Sequence, residues 1–375
     1  MRKIHIICLA MIFLFSCICT GCADIPSSES AAENIITVTD HNGNIVTLPA
    51  NIERIAVCDI LPMPSVLAVF FDSADKIVAM SPSSMSAAEN GLLAELYPEI
   101  KNADTSAING SNVNTEELMK LDPQLVIYNA ANAQLGDILK QAGFHAVAMA
   151  VNHWEYDAVE TLNQWIALLS QIFPQAANDR AQLVREYSAK SIALVQERTK
   201  NLSDAEKKKV FFLYQYTAES IVTSGQKFFG QWWADTIGAV NAAEELTEDN
   251  SVKISLEQIY AWNPDVILMT NFTTAFPADL YQNTVGNYNW SGIQAIENHT
   301  VYKMPLGMYR SYTPGIDTPI TLLWLAKTVY PDLFEDLNVT EKTIEYYQTV
   351  FGVQLTHKQA ESIFSPVSTT PPTIS

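Results

Sequence analysis

The residues best suited to binding chemistry cluster in the second half of the chain. Tyr214 and Tyr216 lie in the run FFLYQYTAES, Trp232 lies in FFGQWWADTIGAVNAAEE, and Tyr309 and Arg310 lie in MPLGMYRSYTPG. In the first half, His153 and Trp154 follow a strand-like run. Aromatic rings offer broad contact to a flat or ring-rich ligand, and an Arg presents a planar fork to carboxylate or a similar anion. Arg310, Tyr309, Tyr214, Tyr216, Trp232 and Trp154 are therefore the candidate ligand residues, and Phe228 and Phe229 are assigned to the core. Covalent chemistry has no comparable candidate. The chain contains no GxSxG, HExxH, Walker A or GxGxxG pattern. Its histidines, His5, His41, His145, His153, His299 and His357, include no pair at helical spacing, so no metal site of the His-rich type is expected.

Composition narrows the class. The 375 residues are 48% hydrophobic and carry 22 Lys and Arg against 41 Asp and Glu, a net charge of −19. That is enough apolar material for two cores, and the acidic balance leaves little for the basic face that a nucleic acid requires. Four of the five cysteines, Cys8, Cys17, Cys19 and Cys22, fall in the first 22 residues; Cys58 alone remains in the body, where it reads as a small buried strand residue. Arg2 and Lys3 precede an almost wholly apolar run, Ile6–Ile18, too short to span a bilayer but right for a signal-peptide core. Gly21-Cys22 at its end resembles a bacterial lipoprotein processing site, with Cys17 as a second possibility. The expectation is a signal peptide over residues 1–21, a lipid on Cys22, and a polar tether over 22–34.

The candidate residues need elements to hold them. Beyond residue 34, apolar strand-like runs alternate with amphipathic helical patterns. The runs are Ile35–Thr39, Ile45–Leu48, Arg54–Cys58, Lys76–Met80, Leu125–Tyr128, Ala146–Val151, Val210–Tyr216, Ser220–Thr223, Val266–Thr270 and Val301–Met304. This alternation predicts α/β lobes with mostly parallel sheets, and the HNGN at 41–44 predicts a hairpin turn. In the centre, Leu183, Val184, Tyr187, Leu194 and Val195 mark one long helix over about Gln175–Arg198. It reads as a connector between two lobes, and Lys207–Lys209 beyond it as a solvated edge. TEELMKLDPQLVIYN (115–129) matches LEQIYAWNPDVILMT (256–270) at a constant offset of 141, pairing Glu116 with Glu257 and Pro123 with Pro264. Each copy reads as helix, Pro turn and buried strand, which predicts two related lobes. In open α/β sheets ligands sit beyond the carboxyl ends of strands, which places the aromatic loops at a cleft between lobes.

At this point the chain resembles the substrate-binding lipoproteins of ABC importers for ferric siderophores, haem and cobalamin. The matching stretches are ITVTDHNGNIVTLPANIERIAV, NTEELMKLDPQLVIYNA, ISLEQIYAWNPDVILMTN, NWSGIQAIENHTVYKMP, LLWLAKTVYPDLFEDLN and EYYQTVFGVQLTHKQAESIF, in order over about residues 35–365. The resemblance implies two doubly wound three-layer α/β lobes joined by a single rigid connector helix. The lobes would be 35–174 and 201–365, the connector 175–200, and the tail 366–375. It also implies that Glu116 and Glu257 dock on the permease dimer of an importer with its ATPase subunits. The cargo would be a metal chelate, foremost a ferric siderophore, otherwise haem, cobalamin, a small metal complex or an oxyanion. No resident cofactor beyond the lipid is expected, and the location is extracytoplasmic, at the outer face of the cell membrane or in a periplasm. A secreted hydrolase or a sensory lipoprotein on the same scaffold is the remote alternative.

Overall fold

A computed structural model describes residues 35–366. The segments expected to be signal peptide and tether, with Cys22, lie outside the described residues, as does the tail beyond Pro366. The chain opens with an antiparallel hairpin, β1 (Ile35–Thr39) and β2 (Ile45–Pro49). Its turn forms as expected: an Asp40 carboxylate oxygen accepts from the backbone N–H of Asn42 (3.0 Å) and Asn44 (2.8 Å), and Gly43 takes φ +78°.

The strands that follow are β3 (Ile55–Cys58), β4 (Ile77–Ala79), a short hairpin of β5 (Ile108–Asn109) and β6 (Asn112–Val113), β7 (Leu125–Asn129) and β8 (Ala146–Met149). β3 is buried along its whole length, the pattern of a parallel strand covered on both faces. β3, β4, β7 and β8 form a parallel sheet in the order β4-β3-β7-β8. The second half contributes β9 (Lys209–Leu213), β10 (Gln215–Thr217), β11 (Ser220–Ser224), β12 (Val240–Asn241), β13 (Ser251–Ile254), β14 (Val266–Met269) and β15 (Val301–Lys303). Its parallel sheet runs β12-β9-β14-β15, and β10, β11 and β13 form a small antiparallel sheet beside it. Both parallel sheets place their first strand inside, their second at the edge, and then the third and fourth on the other side. The two echo segments feed β7 and β14, the third strand of each sheet.

The connector helix is shorter than its sequence pattern. A turn of helix, Pro174–Ala177, precedes it; the chain then breaks at Asn178 and Asp179, both with positive φ, before the helix Arg180–Thr199. Its 20 residues span roughly 30 Å. The apolar core does not divide at this helix. One cluster joins Trp165 and Leu169 of the first half, Val184 and Val195 of the connector, and Leu325, Tyr346 and Tyr347 of the C-terminal helices. The segment after β15 therefore packs across both halves. Leu92 N–H donates to the Gly307 carbonyl (2.9 Å), and the Gln359 amide donates to the Glu95 carboxylate (2.9 Å).

Candidate functional site

The cleft lies where the inner strands of the two parallel sheets end. Its volume is about 450 Å³. One wall is built by the segments after β3 and β4 and by the turn and hairpin of β5, and is rich in hydroxyl and amide groups: Ser81, Ser83, Thr105, Ser106 and Asn109, with Leu61, Pro82 and Gly110. The other follows β9 and β14 and presents Tyr214, Gln215 and Phe272. The second wall sits where strand order reverses, between β9 and β14, a place where open α/β sheets bind ligands.

Local sequence explains the first wall. Ser81 caps the helix Pro82–Asn90, its hydroxyl accepting from Ser84 N–H (3.1 Å), with Pro82 in the first turn. The Ser84 hydroxyl donates to the Leu61 carbonyl (2.8 Å), tying this helix start to the end of β3. Asp104 accepts from Ser106 N–H (2.8 Å) and Ala107 N–H (2.9 Å), which fixes the turn carrying Thr105 and Ser106.

The second wall depends on a break in a strand. Val210–Tyr216 reads as one strand in the sequence, but β9 ends at Leu213 and β10 begins at Gln215 in a different sheet. Tyr214 falls at this corner and faces the cleft. Its ring lies 5.0 Å from that of Phe272, and its carbonyl accepts from the Thr270 hydroxyl (2.6 Å). Behind Phe272 lies Arg310, 3% exposed. The Arg310 guanidinium sits 4.9 Å from the Phe272 ring centre and 5.5 Å from that of Tyr309. Its Nη1 donates to the Ser83 hydroxyl of the opposite wall (3.0 Å) and to the Tyr309 hydroxyl (3.2 Å). None of the ion pairs among the described residues includes it. A buried cation held by π faces and hydroxyls alone retains its capacity to attract an anion.

Two further groups hold this wall in place. Buried Asp317 accepts from Met308 N–H (2.8 Å) and from the Tyr347 hydroxyl, and burial pushes its carboxyl up to about 6. Gly307 is required there, since a Cβ would stand 2.6 Å from an Asp317 oxygen. Lys303, at the end of β15, donates to the carbonyls of Thr270 (3.0 Å), Thr273 (2.7 Å) and Ala275 (2.8 Å). Burial pushes its ammonium down to about 7.

Of the six residues expected at the ligand, the structure brings Tyr214, Tyr309 and Arg310 together. The other three lie elsewhere. Tyr216 is one residue into β10, where its hydroxyl donates to the Val285 carbonyl (3.0 Å) and accepts from the Trp290 indole (3.0 Å) in a separate core. Trp232 packs on Trp233 (4.7 Å). Trp154 packs edge-on to His41 (5.1 Å), and Glu155 and Tyr156 just after it take positive φ. For Tyr216 the strand break is the physical reason, and residue type does not signal it. Phe272, Gln215 and the hydroxyls of the first wall were missed. The SPSS at 81–84, a capped helix start directly after a strand, is the signal that could have found them.

Glu116 and Glu257 occupy equivalent places. Each is exposed, in the first turn of a short helix capped by Asn114 or Ser255. The neighbour Glu117 pairs with Lys120 (2.7 Å), whereas no ion pair among the described residues includes Glu116.

Paired parallel sheets, one connector helix and a cleft beyond their strand ends give the two-lobed architecture of a solute-binding protein. The sequence pattern of the periplasmic binding protein family matches residues 66–306, and the chain belongs to that family. It is the solute-binding component of an ABC importer and acts outside the cytoplasm. The chain is similar to the molybdate-binding protein MolA of Haemophilus influenzae, 26% identical over 350 residues that cover 87% of this chain and 93% of that protein. It is also similar to a periplasmic solute-binding protein of Veillonella parvula, with TM-score 0.77, 30% identity, and 88% and 97% of the two chains covered. The fold is shared with the molybdate-bound structure of MolA, with TM-score 0.71, 22% identity, and 85% and 99% covered.

Proposed function

We propose that the cleft captures a compact metal oxyanion of the molybdate type and delivers it to the importer permease. The carrying observation is Arg310, a buried guanidinium with no carboxylate partner among the described residues, hydrogen-bonded to Ser83 of the opposite wall. The surroundings suit an anion. The cleft is lined by hydroxyl, amide and aromatic groups and by no His, Cys, Asp or Glu, so a bare metal cation would find no ligands in it. An oxyanion instead accepts hydrogen bonds from serine, threonine and guanidinium groups. The likeness to a molybdate-binding protein over most of both chains supports the same reading.

A ferric siderophore, the cargo expected from the sequence, is the second reading. It is favoured by the volume of about 450 Å³ and the Tyr214–Phe272 wall, which leave room for organic ligand arms. Native mass spectrometry and thermal shift with molybdate, tungstate, sulfate, phosphate and a panel of ferric siderophores separate the two. Saturable binding of molybdate or tungstate is expected. A response to siderophores alone would move the assignment to the second reading.

Delivery is assigned to Glu116 and Glu257, one exposed carboxylate in each half, and anchoring to a lipid on Cys22. A single exposed ion pair contributes only about 0–1 kcal/mol. Two carboxylates on a rigid body instead fix orientation on a two-fold partner.

A further inference from the structure

Lys303 has an unusual set of partners. Its side chain enters the protein from the end of β15, is 8% exposed as a residue, and donates to three carbonyls of one segment, that of Thr270, Thr273 and Ala275. An ammonium has three donors, and all three are matched here by a single loop. That loop is also held by its own side chains. Asn271 donates to the carbonyls of Met304 (2.8 Å) and Pro305 (2.9 Å), and Thr273 donates to the Tyr216 carbonyl (2.9 Å). Between these staples stands Phe272, the ring on which Arg310 lies.

The charges around Lys303 are few. The helix Pro277–Gln282 contributes Asp279, which favours the ammonium, and Tyr281, whose hydroxyl accepts from Val301 N–H (3.2 Å). The segment after β15 contributes Arg310, which opposes it. β14 carries no titratable residue. The Phe276 ring lies 4.9 Å from the ammonium.

Resting on the anion reading above, we propose that Lys303 is a positioning residue of the ligand site and that anion capture is coupled to proton uptake at its ammonium. Loss of the proton leaves two donors for three carbonyls, so one carbonyl faces a lone pair and the loop behind Phe272 loses a staple. An anion seated by Arg310 offsets the repulsion between the two cations and favours the protonated form. The sign follows from linkage. Burial already holds the ammonium down to about 7, and a ligand that raises it must bind more weakly as pH rises through that value.

The test is calorimetric titration of sodium molybdate into the full chain at about pH 7.5, in buffers of different ionisation enthalpy, with the dissociation constant followed from about pH 6 to 9. The wild type should take up roughly half a proton on binding and weaken about three- to tenfold between about pH 6 and 8. Lys303→Met should bind more weakly near pH 6, show no proton uptake and give a flat profile. Lys303→Arg, which keeps its charge, should restore affinity and also remain flat, and it covers the case in which Lys303→Met fails to fold. Molybdate binding by the wild type with no proton uptake and no pH dependence overturns this inference while leaving the anion reading standing. No molybdate binding at any pH overturns the anion reading and this inference with it.

Discussion

Arg310 is held inside the wall by two aromatic faces and a serine of the opposite wall. Cys58 is the opposite case, a titratable group kept silent. It is fully buried at the end of β3, and burial with Asp59 beside it pushes its thiol up to about 12. In a chain whose four early cysteines are serine, Cys58 should resist a thiol reagent at neutral pH and react with one equivalent on unfolding. Rapid labelling of the native chain would contradict that placement. The sequence shows the chemistry of such residues better than their direction. Tyr214 and Arg310 are legible because rings and a guanidinium after strands are unusual. Tyr216, two residues past Tyr214, turns into another core because the strand breaks between them. Ser83 was overlooked because a serine in the first helical turn reads equally well as part of a cap.

The elements were the more legible level. Continuous apolar runs such as Val266–Met269 carry the two-sided burial of parallel strands in their composition. The repeat at an offset of 141 anticipated matching positions, and both sheets have the same strand order. Short strands such as β12, two residues long, have too little pattern to read, and the left-handed break before the connector depends on Asn178 and Asp179, which a helix tolerates. The same repeat sets Glu116 and Glu257 in equivalent first turns. Reversing both charges to Arg should lower uptake through the cognate importer at least about tenfold and leave ligand affinity unchanged, because neither lines the cleft. Unchanged transport by the double variant, measured with radiolabelled ligand in cells or proteoliposomes, would refute the docking assignment.

At the scale of the whole molecule, the net charge opposes the anion that the proposed function assigns to the cleft. A chain with net charge −19 repels anions at long range, so capture of an anion must rest on local cations and donors within the cleft wall. The shared core through the connector and C-terminal helices keeps that wall in place, since Arg310 sits on a segment bonded to both halves. Calorimetric titration of molybdate into the wild type and into Arg310→Gln tests this account most directly. One saturable site in the wild type, weakened at least about tenfold, or roughly 1.4 kcal/mol, in the variant, is the predicted result. Equal binding by the two proteins, or saturable binding of a ferric siderophore in place of molybdate, would contradict it.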